Sequence, residues 1–486
     1  MSHRWLALGV LSLGVLLIGV DGTVLAVATP MISKDLGASA TQLLWIGDIY
    51  SFVLAGLLIT MGSLGDRTGH KTLLLCSATA FAIASLATAY APTAELLIAA
   101  RALLGIAGAS LAPSTLALIR GLFSSARERS VAMGIWASVF AAGTALGPVI
   151  GGALLEHFWW GSVFLINVPM IVALVAGGIM LLPELRNPIP GPWDLAGVGL
   201  SLAGMLGLVY AAKQGAAHGL HADIVVAGLV GAAALVLFVR RQLTTPHPLI
   251  DVRLFANRRF SGVVVTNSLT VLGPSSVLYF LSQYLQLVQG YSPLQAGLAE
   301  LPAAVAAMTF GVLAGVAVRY WSQRAVLTTA LVWIGAALGS LTALSPSTTY
   351  PQIGIALFAI GAGLGVAFAI ANDVVITSVP PQNAGAAAGI SETAYELATG
   401  LGIALLGSVI AGVCRHVAQV PDTHPFAAAV TADHPAFTSG LALAAGIGSA
   451  LLLTSALAVW VLLKPLPHWQ PLPYGCLNSE EGSVPG

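Results

Sequence analysis

The chain has 486 residues, of which 57% are hydrophobic and 8% charged, and its formal net charge is zero. A soluble protein of this length carries roughly a quarter charged residues, so the composition excludes a water-soluble enzyme or a basic nucleic-acid binder. The apolar residues fall in blocks of about 18 to 25 rather than in amphipathic stripes, the pattern of membrane spans.

The first block, preceded by His3 and Arg4, imitates a signal peptide, with Ala26, Val27 and Ala28 in the place of a cleavage site. It is too long for one and is followed by a series of further spans, so it reads as an uncleaved first helix. In chain order the spans run at roughly 5–29, 41–63, 72–91, 96–119, 129–153, 162–182, 194–213, 222–240, 260–286, 294–317, 325–344, 351–377, 385–413 and 439–463. Backbone groups in hydrocarbon must be satisfied within each segment, which makes all of these helices. Fifteen of the nineteen Lys and Arg residues fall on one side of this arrangement. Three (Lys34, Lys213 and Arg415) fall on the other, and Arg101 lies within a span. The positive-inside rule then puts both termini in the cytoplasm. The inner loop 241–259 reads as a basic linker, the outer loop 414–438 as a short hairpin at most, and 465–486 as a disordered cytoplasmic tail.

Charges inside spans are expensive and mark candidate sites. Asp21 in span 1 and Arg101 in span 4 each lie on the order of 10 Å below the outer surface at 1.5 Å per residue, so the two are expected to meet. Asp48 in span 2, beside Tyr50, reads as lining the outer mouth of a cavity, and Asp373 as a cavity or capping acid near the inner end of span 12. Glu300, shortly before Pro302, reads as a helix-start residue. Glu392 and Glu396 are four residues apart, hence on one face of span 13, with Tyr395 beside them. Two acids so close do not both ionise easily in a low dielectric, which suits exchange of a proton for a cation.

Gly134, Gly147 and Gly152 in span 5 pair with Gly389, Gly402 and Gly407 in span 13 at a constant offset of 255. That suggests two six-helix halves, with spans 7 and 8 inserted between them, as in transporters built from parallel repeats. The expected units are 1–185, 186–245 and 246–464, followed by the tail. No Lys follows a Gly, so a Walker A phosphate loop is absent and secondary transport is favoured over ATP-driven pumping. Cys76, Cys414 and Cys476 are too scattered for a disulfide framework, and the spacing of His416, His424 and His434 fits no metal pair.

Several stretches then resemble the fourteen-span drug:proton antiporters of the major facilitator superfamily. These are VDGTVLAVATP at 20–30, WIGDIYSFVLAGLL at 45–58, GSLGDRTGHK at 62–71, RALLGIAGA at 101–109 and GTALGPVIGG at 143–152, with PLIDVRLF, YLQLVQGYSPLQAGLAELP and SETAYELATGLG further on. The resemblance covers the chain to about residue 463. Three departures stand out: His70 replaces the usual Arg, no basic residue follows Trp160, and Ala307 stands where members that handle divalent cations carry an acid.

The resemblance implies an all-α major-facilitator fold and a monomeric, non-enzymatic exporter in the bacterial cytoplasmic membrane. Its cargo would be lipophilic cationic drugs, dyes and quaternary ammonium compounds exchanged for protons, with an endogenous natural product as the alternative. The drive would be the proton-motive force, without ATP, other cofactors, metal or nucleic acid. Asp21, Arg101, Glu392 and Glu396 would carry proton and substrate coupling. Gly62, Asp66, Arg67, Gly69 and Lys71 would form a cytoplasmic latch, with Gly62 and Gly69 permitting its turn and Asp66 receiving a contact from the opposite half. Gly143, Gly147, Pro148, Gly151 and Gly152 would govern interconversion through close helix packing.

Overall fold

The computed structural model describes residues 3–123, 125–184, 194–218, 221–245, 248–249, 252–379, 384–418 and 433–462. The expected tail and most of the 414–438 loop lie outside them. The described chain is a bundle of helices: α1 (His3–Leu36), α2 (Ala40–Thr68), α3 (His70–Ala89), α4 (Ala94–Gly108), α5 (Leu111–Leu122), α6 (Ala126–His157), α7 (Ser162–Leu165) and α8 (Asn167–Leu181). They are followed by α9 (Leu195–His218), α10 (Ala222–Thr244), α11 (Arg258–Leu287), α12 (Pro293–Tyr320), α13 (Gln323–Ser340), α14 (Tyr350–Thr377), α15 (Ala384–Ala418) and α16 (His434–Leu462). Thirteen helical stretches are long and apolar enough to cross a membrane, and α9 adds the shorter apolar run Leu195–Ala211.

Local chemistry sets the helix ends. Ser39 with Gln42, and Ser292 with Gln295, form capping boxes at the starts of α2 and α12. Spans 4 and 6, expected as continuous helices, are each broken. Pro113 has no N–H to offer Ala109, and α4 gives way to α5 at that point. Pro169 likewise cannot bond Leu165, the last residue of α7.

The packing repeats itself. Within α1–α8 the principal pairs are α1–α6, α1–α8, α2–α4, α3–α4 and α3–α8; within α11–α16 they are α11–α15, α11–α16, α12–α14, α13–α14 and α13–α16, together with α15–α16, which has no equal in the first set. Each pair in the first set has its counterpart in the second, and the bridges α6–α12 and α15–α2 exchange under the same correspondence. The paired glycines share environments too. A Cβ on Gly147 would press on α1 at Val20 O and Thr23, and one on Gly402 on α11 at Leu272 O and Ser275. Gly152 faces α12, Gly407 faces Leu44 of α2 and Phe280, and Gly134 and Gly389 both face open space.

α9 and α10 cross closely through Gly204, Gly207 and Gly231. α9 lies on the α2–α15 seam, where Phe52, Val209 and Ala404 form a small core with Leu206, Leu397 and Leu401. The outward face of α10, including Val226, Leu229, Val230 and Val236, is exposed and apolar, as lipid contact requires. Asp194, just before α9, accepts from Gly197 N (2.8 Å), Arg241 Nε and Gln242 Nε2 (3.0 Å), and Gln242 Oε1 accepts from Leu249 N. Asp194→Ala therefore strands several donors and is expected to cost about 1–3 kcal/mol, read as a lower midpoint of thermal unfolding in detergent.

Contacts between the two sets gather towards the end of the bundle where α1 finishes, here the Leu36 end. Gln286 Nε2 donates to Val27 O (3.1 Å), Ser292 Oγ to Glu156 Oε1 (2.5 Å), and Gly297 lies against the carbonyl of Pro148. A Cβ on Gly152 would sit 2.5 Å from Pro293 O and 2.6 Å from Leu294 Cα, both backbone atoms that cannot step aside. At the opposite end, Arg4 pairs with Glu128 within the first set. There Arg259 donates to Gln323, Gln323 to Asp373, and Asn257 to Ser378 O, all within the second.

Candidate functional site

Two acid clusters face one another across α2. The first is built by α1, α3, α4 and α8. Asp21 is fully buried, and Arg101 Nη1 lies 3.4 Å from its Oδ2 with the arginine side chain only 2% exposed. Arg101 also donates from Nε to Ile46 O (3.1 Å). Its guanidinium is stacked over the rings of Tyr50 (5.0 Å) and Phe164 (5.8 Å), so it is held by one ion, one carbonyl and two π faces. The other Asp21 oxygen is taken by a residue that sequence reading passed over: Asn167 Nδ2 donates to Oδ1 at 2.9 Å and to Ser85 Oγ at 3.1 Å. The available signal was an amide in the apolar run FLINVP at the start of span 6.

Asp48, expected at a cavity mouth, is instead fully enclosed. It lies within electrostatic reach of Tyr279 of α11, and Tyr279 with Ile403 of α15 covers the neighbouring Gly47. The Tyr279 hydroxyl is 2.8 Å from Thr29 Oγ1 of α1, a direct polar link between the two helix sets. Tyr50 is buried beneath Arg101 and lies within electrostatic reach of both Asp21 and Glu396.

The second cluster belongs to α15. Glu392 and Glu396 are half-buried, their charges act on each other, and Glu396 stands beside Ser51 of α2. Tyr395 packs edge-on against Phe368 (5.6 Å), and Asn267 Nδ2 donates to Ser391 (3.4 Å). Asp373 is exposed near the end of α14 and accepts a hydrogen bond from Gln323 Nε2 (2.7 Å).

The segment 62–71 departs from the expected turn. Gly62 lies inside α2, and a Cβ there would meet only Pro113 at 3.8 Å, so nothing in its surroundings demands glycine. Gly69 makes the turn alone, at φ +101°. Lys71 Nζ donates to Ile179 O (3.0 Å) and Leu182 O (2.8 Å), capping the end of α8, and Glu184 accepts from the Lys71 and Thr72 amides. Arg67 is half-buried in the last turn of α2, while the side chain of Asp66 lies outside the described residues. Gly65 is needed for His70, whose Nδ1 occupies the space a Cβ would take.

Along α6, Gly143, Gly147 and Gly151 form a stripe against α1, meeting Leu16 O, Val20 O and Val24, while Gly19 of α1 answers against Phe140 O and Thr144 N. Pro148 and Gly152 turn the adjacent face to α12. The motif thus grips one helix of its own set and one of the other. Gly152→Ala is expected to push α6 and α12 apart, costing about 1–3 kcal/mol, visible as lower thermal stability and faster thiol labelling at the Leu36 end.

A family model described as Major Facilitator Superfamily matches residues 11–403. The chain is 43% identical to the multidrug efflux pump LfrA of Mycolicibacterium smegmatis, over 95% of this chain and 97% of that protein. It is 40% identical to the methyl viologen resistance protein SmvA of Salmonella typhimurium, over 84% and 83%. Among solved structures, a bacterial homologue of the human lysosomal transporter Spinster, inward-facing and unoccupied, superposes with a TM-score of 0.67 at 15% identity, over 95% of this chain and 97% of that one. The family and these relatives are transporters and not enzymes. The chain is a multi-pass membrane protein and belongs to the Major Facilitator Superfamily.

Proposed function

We propose that the protein exports lipophilic cationic drugs, dyes and quaternary ammonium compounds from a bacterial cell in exchange for protons. The observation that carries this reading is Asp21, a carboxylate enclosed in the bundle and divided between Arg101 and Asn167. Such a group changes partners only when it gains or loses a proton. The relatives named for multidrug efflux and methyl viologen resistance supply the substrate class. A relative in Streptomyces glaucescens named for tetracenomycin C resistance and export, 30% identical, supports the second reading, an endogenous natural product as cargo.

In this reading fourteen spans form two six-helix halves that rock about the two acid clusters, with α9 and α10 sealing one seam. The positive-inside bias puts both termini in the cytoplasm. The interlocked Leu36 end is then extracytoplasmic, and the state is inward-facing. Asp21 with Arg101, and Glu392 with Glu396, exchange protons against the cation beside Tyr395. The protein works as a monomer on the proton-motive force.

Everted membrane vesicles suspended in the cationic dye ethidium, which an exporter moves into the lumen, provide the test. Dye is expected to move when an inside-acid gradient is imposed and to stop when nigericin collapses it. ATP-driven movement that survives collapse, or no movement of any monovalent lipophilic cation, overturns the proposal. Because Ala307 is half-buried against Gly365 of α14, ethidium is expected to be favoured over the dication methyl viologen at equal concentration.

A further inference from the structure

One half-buried acid takes no part in either cluster. Glu300 lies two turns into α12, beyond the capping box of Ser292 and Gln295, so starting the helix is not its task. It faces Ser282 of α11, and its Oε1 and the Ser282 hydroxyl are each buried without a hydrogen-bond partner. The hydroxyl of Ser276 and Oε1 of Gln283, also on α11, are buried and unpartnered as well.

Its position in the seam is informative. One turn earlier on α12, Gly297 lies against Pro148 of α6, and one turn beyond Ser282 on α11, Gln286 bonds Val27 O of α1. Glu300 therefore sits just inside the contacts that hold the Leu36 end together. The ionisable groups around it are engaged elsewhere. On α11, Tyr279 is held by Thr29, and Tyr284 donates to Ser345 O. On α14, Tyr350 donates to Ala299 O, and on α6, Glu156 accepts from Ser292. On α1, Asp21 is divided between Arg101 and Asn167, while Lys34 and Asp35 are exposed in the last turn. On α13, Arg324 stacks over Trp460 at the far end. Among the described residues no cation reaches Glu300, and a buried ion without a partner costs several kcal/mol. The interlocked end thus favours the carboxylic acid over the carboxylate.

We propose that Glu300 is a proton-binding site that controls closure of the Leu36 end. When this end is open, water reaches the side chain and it ionises. Before α12 can seat against α6 and α11 against α1, the carboxylate must take a proton from the aqueous phase on that side, becoming the neutral acid. Reopening returns the proton to the same phase unless exchange inside the bundle carries it onward. The direction of net proton flow rests on the export reading above; the coupling of closure to protonation does not.

The test uses the full-length protein in lipid nanodiscs, with Cys76, Cys414 and Cys476 replaced by serine and spin labels at Phe158→Cys and Ile355→Cys. Distances between the labels report whether this end is closed, without substrate or gradient. In the parent protein the closed-to-open ratio is expected to fall up to about tenfold per pH unit once Glu300 begins to titrate. Glu300→Gln should keep the closed distance at every pH, and Glu300→Asp should restore a pH response. A wild-type response in Glu300→Gln overturns the proposal, as does a response abolished by Asp21→Asn but untouched by Glu300→Gln. Folding of Glu300→Gln is checked by recovery of the parent's low-pH distance; if it fails to fold, Glu300→Met, which is also uncharged, takes its place under the same criteria. Loss of ethidium export with the Glu300-dependent response intact would reject the export reading and leave this one standing.

Discussion

Arg101→Ala should abolish proton-driven dye export and destabilise the bundle by about 3–5 kcal/mol, because it leaves Asp21 buried without its cation. Asp21 is fully enclosed and Arg101 2% exposed, so water cannot substitute for either partner. The sign of the companion variants follows from the same account. Asp21→Asn keeps an oxygen for Asn167 and removes the charge. It should fold better than Arg101→Ala, yet export dye without the parent's pH dependence. The double variant Asp21→Asn/Arg101→Ala should recover part of the stability lost in Arg101→Ala, since no unpaired carboxylate remains. Arg101→Lys should fall between, keeping the positive charge but losing the bond from Nε to Ile46 O and much of the stacking over Tyr50 and Phe164. Thermal unfolding of the four proteins, with ethidium export measured across pH, checks the series. An Arg101→Ala protein as stable as its parent would show that the pair is not what secures this site.

How far these contacts can be read in advance depends on their physical origin. The meeting of Asp21 with Arg101 follows from counting residues, because a helix in a bilayer converts position into depth and charges are rare there. Two of the three glycine pairs at the constant offset were legible for a similar reason, while Gly134 and Gly389 face open space. Close packing against α1 or α11 tolerates no Cβ, and the matched environments of Gly147 and Gly402 display that constraint directly. Asn167 escaped because a neutral amide does not stand out in an apolar run, and its partners lie 82 and 146 residues away. The breaks at Pro113 and Pro169 could have been inferred from the missing N–H, but hydropathy is blind to backbone donors. Gly62 shows the reverse error. A glycine beside a turn invites a conformational explanation, yet its backbone is ordinary helix and the turn belongs to Gly69 alone. The enclosure of Asp48 arises from packing between distant segments, which residue depth along one helix does not encode.

Replacing Glu392 and Glu396 together by glutamine should eliminate saturable binding of ethidium or uncouple it from protons, while leaving the fold intact. Both side chains are half-buried and no cation pairs with either among the contacts described, so neutral amides of the same shape fill the site without stranding a charge. The two positions are not equivalent. Glu396 stands beside Ser51 of α2 and acts electrostatically on Tyr50, which also senses Asp21, so it is the link between the two clusters. Glu392 has no such bridge. Glu396→Gln is therefore expected to reduce export at saturating dye by more than tenfold, whereas Glu392→Gln should mainly weaken apparent affinity, a split between turnover and KM. Ser51→Ala, which removes the hydroxyl and no charge, should reproduce a fraction of the Glu396→Gln effect without changing ethidium affinity. Titration of ethidium fluorescence against purified protein, alongside export rates from vesicles, separates these outcomes. Parent-level export by the double glutamine variant would remove α15 from the coupling mechanism and leave Asp21 and Arg101 to carry it.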